Sequence, residues 1–265
     1  DVPLGGFLSG GLDSSAVVTT MRRLLKTDPM TFTVGYSGSD GINEFDYSRL
    51  VSEHVGTAHH EVMLSPQQFS DWIPKLNWHL DEPVGDSACV PLFFLAQRAK
   101  EYATVLHSGE GADEILGGYS IYKKMLLLSR LHSSPLGVVA GLFDRVGGAA
   151  SVGGKLGRYV RHMALPLEDR YRGVSSLFLD GIKTDVVNPE LRTSPTKNSF
   201  LEDTFRTYFQ RVRSTTELNQ MLYVDTKAWL PDDLLVKADK MTMAASIELR
   251  VPFLDHRMIE FAAKL

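Results

Sequence analysis

The first hundred residues alternate between short apolar runs and longer stretches whose apolar positions recur at helical spacing. Leu4-Gly5-Gly6-Phe7-Leu8 predicts a short strand buried on both faces. Ala16 to Met21, followed by Arg22, Arg23 and Lys26 at helical spacing, predicts the helix after it. Met30-Thr31-Phe32-Thr33-Val34-Gly35-Tyr36 is β-branched and aromatic, hence a second strand. Asn43 to His54 predicts a helix with Phe45, Leu50 and Val51 apolar, closed by Gly56. His59 to Leu64 predicts a third strand. Ser65-Pro66 then supplies a cap and an N1 proline to a helix that carries Phe69, Trp72, Ile73 and Leu76 and ends before Asp81. Pro91 to Tyr102 is a further helix with Leu92, Leu95, Ala96 and Ala99 on one face, and Ala103 to Ser108 a fourth strand. This alternation predicts an α/β fold: a parallel sheet with helices on both faces.

From about Ser120 the pattern changes. Met125 to Leu128 is strongly apolar and helical, and residues from about Leu131 to Leu165 mix Gly and Ser with basic residues, as in Gly147 to Lys155. That stretch reads as a connection between helices. From Pro166 onward there is no strand signal of note and the expectation is mostly helix. The chain thus divides into an α/β part, residues 1–120, and a mainly helical part, residues 121–265. A length of 265 residues is enough to bury a substantial core. A net charge of −4 gives no electrostatic argument for nucleic acid or an anionic membrane as partner. Cys89 is the single cysteine, which excludes an internal disulfide and any Cys-based zinc cluster within the chain. No run of about 18 apolar residues is present and no signal peptide opens the chain, so a cytoplasmic location is expected.

The candidate chemistry starts at Ser9-Gly10-Gly11-Leu12-Asp13-Ser14-Ser15, between the first strand and the first helix. A strand that enters a Gly-Gly turn and then a helix gathers backbone N–H groups and a helix N-terminus at one point, an anion-binding arrangement. Asp13 has the wrong sign for a phosphate, which suggests a metal ion between the two. No Gly-Lys-Ser/Thr follows, so the turn is not a Walker loop, and the third glycine of a dinucleotide fingerprint is missing. The alternative is an ordinary strand–helix turn capped by Ser or Asp. Ser9 to Ser14 resemble the pyrophosphate loop of the N-type ATP pyrophosphatases, which cleave ATP between the α and β phosphates.

A second motif, Ser108-Gly109-Glu110-Gly111-Ala112-Asp113-Glu114-Ile115-Leu116-Gly117-Gly118-Tyr119, follows the fourth strand and therefore lies at the same sheet edge. Three carboxylates within five residues beside two glycine turns are poorly explained as a solvated turn. Asp113 with Asp13 could hold Mg²⁺ against ATP phosphates, and Glu110 could orient or deprotonate a nucleophile or hold a substrate amine. The third motif runs from Trp229-Leu230-Pro231-Asp232-Asp233 to Met243-Ala244 and on through Ser246-Ile247-Glu248-Leu249-Arg250-Val251-Pro252-Phe253-Leu254-Asp255. Pro231 and Asp232 start a helix with Leu234, Leu235, Ala238 and Met241 apolar. On pattern alone Asp232, Asp233, Lys237, Asp239 and Lys240 form a solvated face. Arg250 is either an anion ligand or a partner for Glu248. His59-His60 reads as one histidine facing each way on a strand rather than as a metal pair.

The three motifs, in this order and at these separations, resemble the synthetase domain of the glutamine-hydrolysing (class B) asparagine synthetases, over nearly the whole chain. Asp1-Val2-Pro3-Leu4-Gly5 is similar to that family's approach to its pyrophosphate loop, and Asp81-Glu82-Pro83-Val84-Gly85-Asp86-Ser87 to its Asp-Glu-Pro substrate loop. The resemblance implies an adenine nucleotide alpha hydrolase-like fold and a defined reaction. Aspartate's side-chain carboxylate attacks the α-phosphate of ATP, and ammonia converts the resulting β-aspartyl-AMP to asparagine and AMP. Ser9, Gly10, Gly11, Asp13 and Ser14 would hold pyrophosphate, Asp13 and Asp113 the Mg²⁺. Leu8, Val34, Ser108 and Gly109 would line the nucleotide pocket, and Glu110 would assist ammonia attack or position aspartate.

Two departures from the family stand out. Its N-terminal glutaminase domain, which begins with a nucleophilic cysteine and supplies ammonia from glutamine, is not in this sequence, and the chain reads as truncated at both ends. The family's phosphate-contacting lysine has no match within the 265 residues. A β-lactam or carbapenam-type synthetase, an amidotransferase acting on another acid and amine, and a catalytically incomplete nucleotide-binding module are the alternatives. The lone cysteine counts against a tRNA-thiolating relative. A homodimer is compatible with the resemblance.

Overall fold

The computed structural model describes residues 2–38, 43–82, 84–146, 154–174, 188 and 199–265. Its first part is β1 (Leu4–Phe7), α1 (Leu12–Leu24), β2 (Met30–Tyr36), α2 (Phe45–Val55), β3 (Ala58–Leu64), α3 (Pro66–Leu80), α4 (Cys89–Ala99), β4 (Val105–His107) and α5 (Ala112–Leu116). Next come α6 (Ser120–His132), α7 (Pro135–Arg145), α8 (Gly154–Ala164), α9 (Leu167–Arg170), α10 (Ser199–Arg211) and α11 (Glu217–Lys227). A π-helical turn (Leu230–Leu235), α12 (Val236–Ala244), β5 (Glu248–Arg250), a 3₁₀ turn (Pro252–Leu254) and α13 (His256–Ala262) complete the described chain.

The sheet has the order β3-β2-β1-β4-β5 and every pairing is parallel. Chain order runs outward from β1 to β3 on one side and returns to β4 and β5 on the other. The topological switch therefore falls between β1 and β4, where Gly5 is registered with Leu106 and Gly6 with His107. In an open α/β sheet ligands bind outside the strand C-termini at such a point. Gly5 and Gly6 face opposite sides of the sheet. A methyl at Gly5 would lie 2.9 Å from Leu106 Cδ2, one at Gly6 3.3 Å from Met21 Sδ of α1. The core on the Gly5 side gathers Phe32, Leu106 and Ile247 with Leu95, Ala96 and Ala99 of α4. Beside it Leu64, Trp72, Leu76, Leu80, Val90 and Met241 form a second core cluster. Helices thus cover both faces, as the alternating pattern predicts.

Most expected elements coincide with observed ones. Ser65 and Gln68 form a reciprocal capping box at the start of α3, and Gly56 takes the left-handed conformation after α2. His59 and His60 do face opposite ways. His59 Nδ1 bonds Thr31 Oγ1 at 2.9 Å, whereas His60 stacks on Tyr102 at 4.1 Å. Two expectations need correction. The stretch from Leu131 to Leu165, read as a connection, carries the helices α7 and α8. Pro135 at the first turn starts α7, and Gly137 permits the tight entry, since a methyl there would lie 2.0 Å from the His132 carbonyl oxygen. Within that stretch the Gly147–Gly153 run lies outside the described residues. The second correction is β5, in a region read as mostly helical and without a strand signal. It extends the sheet by pairing with β4, Leu106 opposite Leu249.

The described residues cluster into two compact units, 1–115 with 230–265, and 116–229. The first holds the sheet, the first motif, the second as far as Ile115 and the third from Leu230. In the second, Tyr122, Met125, Leu128, Leu167, Tyr171, Phe209, Met221 and Val224 form the core. Tyr122 and Tyr171 both donate to Asp225 Oδ2 in that unit, the former at 2.7 Å. Buried Arg170 donates to the carbonyls of Leu165 (2.8 Å) and Met125 (3.2 Å) and to Ser129. No single helix among the described residues is long and apolar enough to cross a membrane.

Candidate active site

The first motif leaves β1 and enters α1. Leu8 is buried; its N–H donates to the Phe32 carbonyl at 2.9 Å and its carbonyl accepts the Thr33 hydroxyl, which fixes the exit from the sheet. Gly10 turns the chain with φ +84°, and a methyl there would lie 2.5 Å from the Tyr47 backbone carbon of α2. Only glycine meets both conditions. Gly11 is the N-cap of α1 and makes no side-chain cap hydrogen bond. The reading of this loop as a turn capped by Ser or Asp is therefore not what forms. Ser9 Oγ instead accepts from Gly11 N–H at 3.2 Å and lies 3.1 Å from Ser14 Oγ, while Ser15 donates back to the Gly11 carbonyl at 2.6 Å. The first turn of α1 keeps its free N–H groups, the feature that attracts anions. Asp13 sits in this turn.

The second motif leaves β4 and reaches the first directly. Ser108 is buried, donates its N–H to the Arg250 carbonyl at 3.0 Å, and accepts from Glu110 N–H at 3.3 Å. A methyl at Gly109 would lie 2.9 Å from Ser14 N and 3.0 Å from Asp13 Cβ, so the two loops meet backbone to backbone. Gly111, at φ +88°, packs against Leu254 of the third motif, 2.3 Å from where its methyl would stand. The three sequence motifs therefore converge on one sheet edge. Asp113 faces Asp13; burial first, and then that neighbouring charge, raise the Asp113 carboxyl above the usual range. No ion-pair partner of either is found among the described residues. Two opposed carboxylates without a protein cation suit a hard divalent ion that takes one or two carboxylates and completes its shell with water and phosphate oxygen. No larger metal-holding group of His, Cys, Asp or Glu occurs among the described residues. Val34 packs between the two core clusters of this unit.

Behind the loops lies a charged cluster that pattern reading assigns to solvent. Lys237 is buried, and its Nζ bonds Asp86 Oδ2 at 2.7 Å. The other oxygen of Asp86 accepts from Ala88 N–H at 2.8 Å, so this carboxylate also shapes the entry to α4. Burial acts upward on the Asp86 carboxyl, but the Lys237 and Ala88 hydrogen bonds outweigh it and hold it below the usual range. Burial would lower Lys237, yet the Asp86 bond and the charges of Glu110, Asp86 and Asp233 reverse that and keep it protonated. Asp233 is raised by burial and by Asp86, against Lys237, and its Oδ2 is buried without a hydrogen-bond partner. Glu110 Oε2 is likewise buried and unpartnered, and burial lifts its carboxyl to about 7. Asp81 pairs with Lys240, which joins the 81–87 segment to α12 a second time. Pro83 of that segment lies outside the described residues, as do residues 39–42 of the loop after β2. Arg250 pairs with Glu248 at 2.8 Å and both are exposed, which is the second of its two expected roles.

The asparagine synthase family model matches this chain over residues 1–265. The chain belongs to the asparagine synthase family. It is 38% identical over 268 residues to asparagine synthetase [glutamine-hydrolyzing] 1 of Bacillus subtilis (strain 168), covering 100% of this chain and 41% of that protein. A Mycobacterium bovis protein that also bears a glutamine-hydrolysing asparagine synthetase name is 37% identical over 271 residues, 100% of this chain and 39% of its own length. Asparagine synthetase [glutamine-hydrolyzing] 1 of Arabidopsis thaliana is 37% identical over 136 residues, covering 47% of this chain and 23% of that protein. The chain spans about two fifths of the bacterial relatives it matches. Family membership agrees with the resemblance carried by the motif residues. Of the residues that sequence reasoning misplaced, Lys237 is the most consequential.

Proposed function

We propose that this chain is the ATP-cleaving, amide-forming part of an asparagine synthetase. One observation carries the reading: the fit of Gly109 against Asp13 and Ser14, which sets an uncapped helix N-terminus beside a carboxylate pair at the switch point. The phosphates of ATP lie over Ser9, Gly10, Gly11 and Ser14, whose N–H groups and helix dipole favour the charge that develops on departing pyrophosphate. Leu8, Val34, Ser108 and Gly109 border the nucleotide, chiefly through backbone. Mg²⁺ held by Asp13 and Asp113 would supply neutralising charge at the phosphate oxygens.

In this reading the side-chain carboxylate of aspartate attacks the α-phosphorus. An O–P bond forms, the P–O bond to the β-phosphate breaks, and pyrophosphate leaves β-aspartyl-AMP behind. Ammonia then attacks the acyl carbon; a C–N bond forms, the C–O bond to AMP breaks, and nitrogen gives up a proton. Glu110 receives that proton or holds the incoming amine, and a carboxyl near 7 is matched to this task at neutral pH. A glutaminase domain elsewhere in the protein releases the ammonia from glutamine, and the same reading places the enzyme in the cytoplasm, with a homodimer compatible.

The test is pyrophosphate release from Mg-ATP with ammonia by the full-length protein, across a panel of carboxylic acids. Release that requires aspartate and yields asparagine is the expected result. Release only with another acid would move the function to a related synthetase, and ATP binding without release to a nucleotide-binding module.

A further inference from the structure

The mechanism above leaves Lys237 unused, although it is a buried cation beside the carboxylate assigned the proton. It follows a π-helical turn, Leu230–Leu235, a rare form that recurs at functional sites. The α-helix that succeeds this turn puts Lys237 on the same buried side as Ala238, Met241 and Thr242. Glu110 Oε2 has no hydrogen-bond partner, so the protein acts on it through space. Lys237 and the carboxylates of Glu114 and Asp86 bear on it, one cation against two anions. Lys237 in turn faces Asp86, Glu110 and Asp233. The Cys89 thiol lies in the same cluster, but burial, then Asp86, push it up to about 11, so it adds no anion at neutral pH.

We propose that Lys237, tethered by Asp86, is a positioning residue for Glu110: it is the internal counter-charge of that carboxylate and links the 81–87 segment to the amide-forming step. The inference rests on the functional reading above for the role of Glu110, but its physical core does not. Lys237 acts downward on the Glu110 carboxyl, Glu114 and Asp86 upward. Removal of Lys237 therefore moves Glu110 further up. Removal of the Asp86 charge deletes an upward influence and leaves Lys237 without its partner, so Glu110 moves down. A general loosening of the site would move both variants the same way.

The test uses the full-length protein with ¹³C-labelled glutamate carboxyls, titrated by NMR and assigned through Glu110→Gln, alongside the pH profile of ammonia-dependent asparagine formation. Lys237→Met should raise the Glu110 midpoint and the acid limb of the profile by about one pH unit. That shift corresponds to roughly tenfold lower turnover at the acid limb, with the KM for ATP within about twofold of the parent. Lys237→Arg should restore both, and Asp86→Asn should lower the midpoint. A midpoint that Lys237→Met leaves in place, or that both variants shift in one direction, overturns the proposal. If Lys237→Met does not fold, Asp86→Asn against Lys237→Arg decides it: a midpoint that fails to fall in the former overturns it. A parent enzyme whose Glu110 responds as stated but which makes no asparagine refutes the functional reading and leaves the electrostatic link standing.

Discussion

Replacing Gly109 by alanine adds one methyl group at the seam between the two loops that define the site. Its Cβ would stand 2.9 Å from Ser14 N, 3.0 Å from Asp13 C and 3.0 Å from Asp13 Cβ. Two of these three atoms are backbone, so no side-chain rotation relieves the contact. Ordinary van der Waals contact begins at 3.4 Å, and the seam must open by 3.4 − 2.9 = 0.5 Å. Overpacking of this size costs about 1–3 kcal/mol in a rigid core. A seam at a sheet edge can yield, so the lower end is expected, with the fold intact. The chemistry is less tolerant, because a displacement of about 1 Å can cost on the order of 10²-fold. Half that displacement between the first and second motif loops should lower pyrophosphate release by about 10-fold, roughly 1.4 kcal/mol in the barrier. The assay is pyrophosphate release with Mg-ATP, aspartate and ammonia, paired with thermal unfolding by circular dichroism. Gly141→Ala is the steric control, since a methyl there meets nothing within 4 Å. Gly109→Ala activity within about twofold of the parent would refute the claim that this contact sets the site.

Asp13→Asn should abolish pyrophosphate release while leaving the unfolding midpoint unchanged; normal turnover would remove Asp13 from the metal role. Gly141→Ala, in the exposed helix α7, should raise stability by up to about 1 kcal/mol in a denaturant titration, and a loss would contradict the open space around it. Burial holds the Glu110 carboxyl at about 7, above its ordinary 4.5, so the folded chain binds the extra proton between these values and stability falls as pH rises through that window. The fall should be roughly 3 kcal/mol at most. Glu110→Gln should remove this slope between about pH 4.5 and 7 and abolish asparagine formation, and an unchanged slope would refute the raised carboxyl. Tyr171→Phe should cost about 1–3 kcal/mol, because it withdraws the Tyr171 hydroxyl donor from buried Asp225; a neutral result in urea unfolding would assign that bond no stabilising role.

The first two motif loops were legible because each needs glycine where a strand meets a helix. Gly10 and Gly111 stand at positive φ, and Gly109 allows a backbone contact that any Cβ would block. The first four strands were legible for a different reason: they are apolar or β-branched runs bounded by helical pattern. β5 was not, because it has three residues, Glu248 and Arg250 are exposed, and Leu249 alone points inward. Its identity as a strand comes from the partner it finds in β4, over a hundred residues earlier. Lys237 shows a subtler failure. A lysine beside aspartates reads as a solvated face, yet Lys237 lies three residues after Leu234 and four before Met241, on the apolar side of the same helix. The reading by pattern put it on the solvated face because it followed residue type; the spacing to Leu234 and Met241 is the signal that could have found it.

The carboxylates at this edge share a feature that folding by itself would not select. Asp113, Glu110 and Asp233 are each raised by burial, and two of them keep an oxygen buried without a partner. Buried polar atoms without partners cost stability, and a like-charge pair adds to that cost. The ion pairs that fully satisfy their members lie elsewhere, as with Arg49 and Glu61 bonded at 2.6 and 2.7 Å on the surface. Between these extremes stands Asp86–Lys237, a pair whose bond compensates burial while its residual positive field reaches Glu110. This pair acts electrostatically on Glu110, the carboxyl that burial lifts to about 7. That coupling is why the cluster reads as part of the chemistry rather than as support for α12.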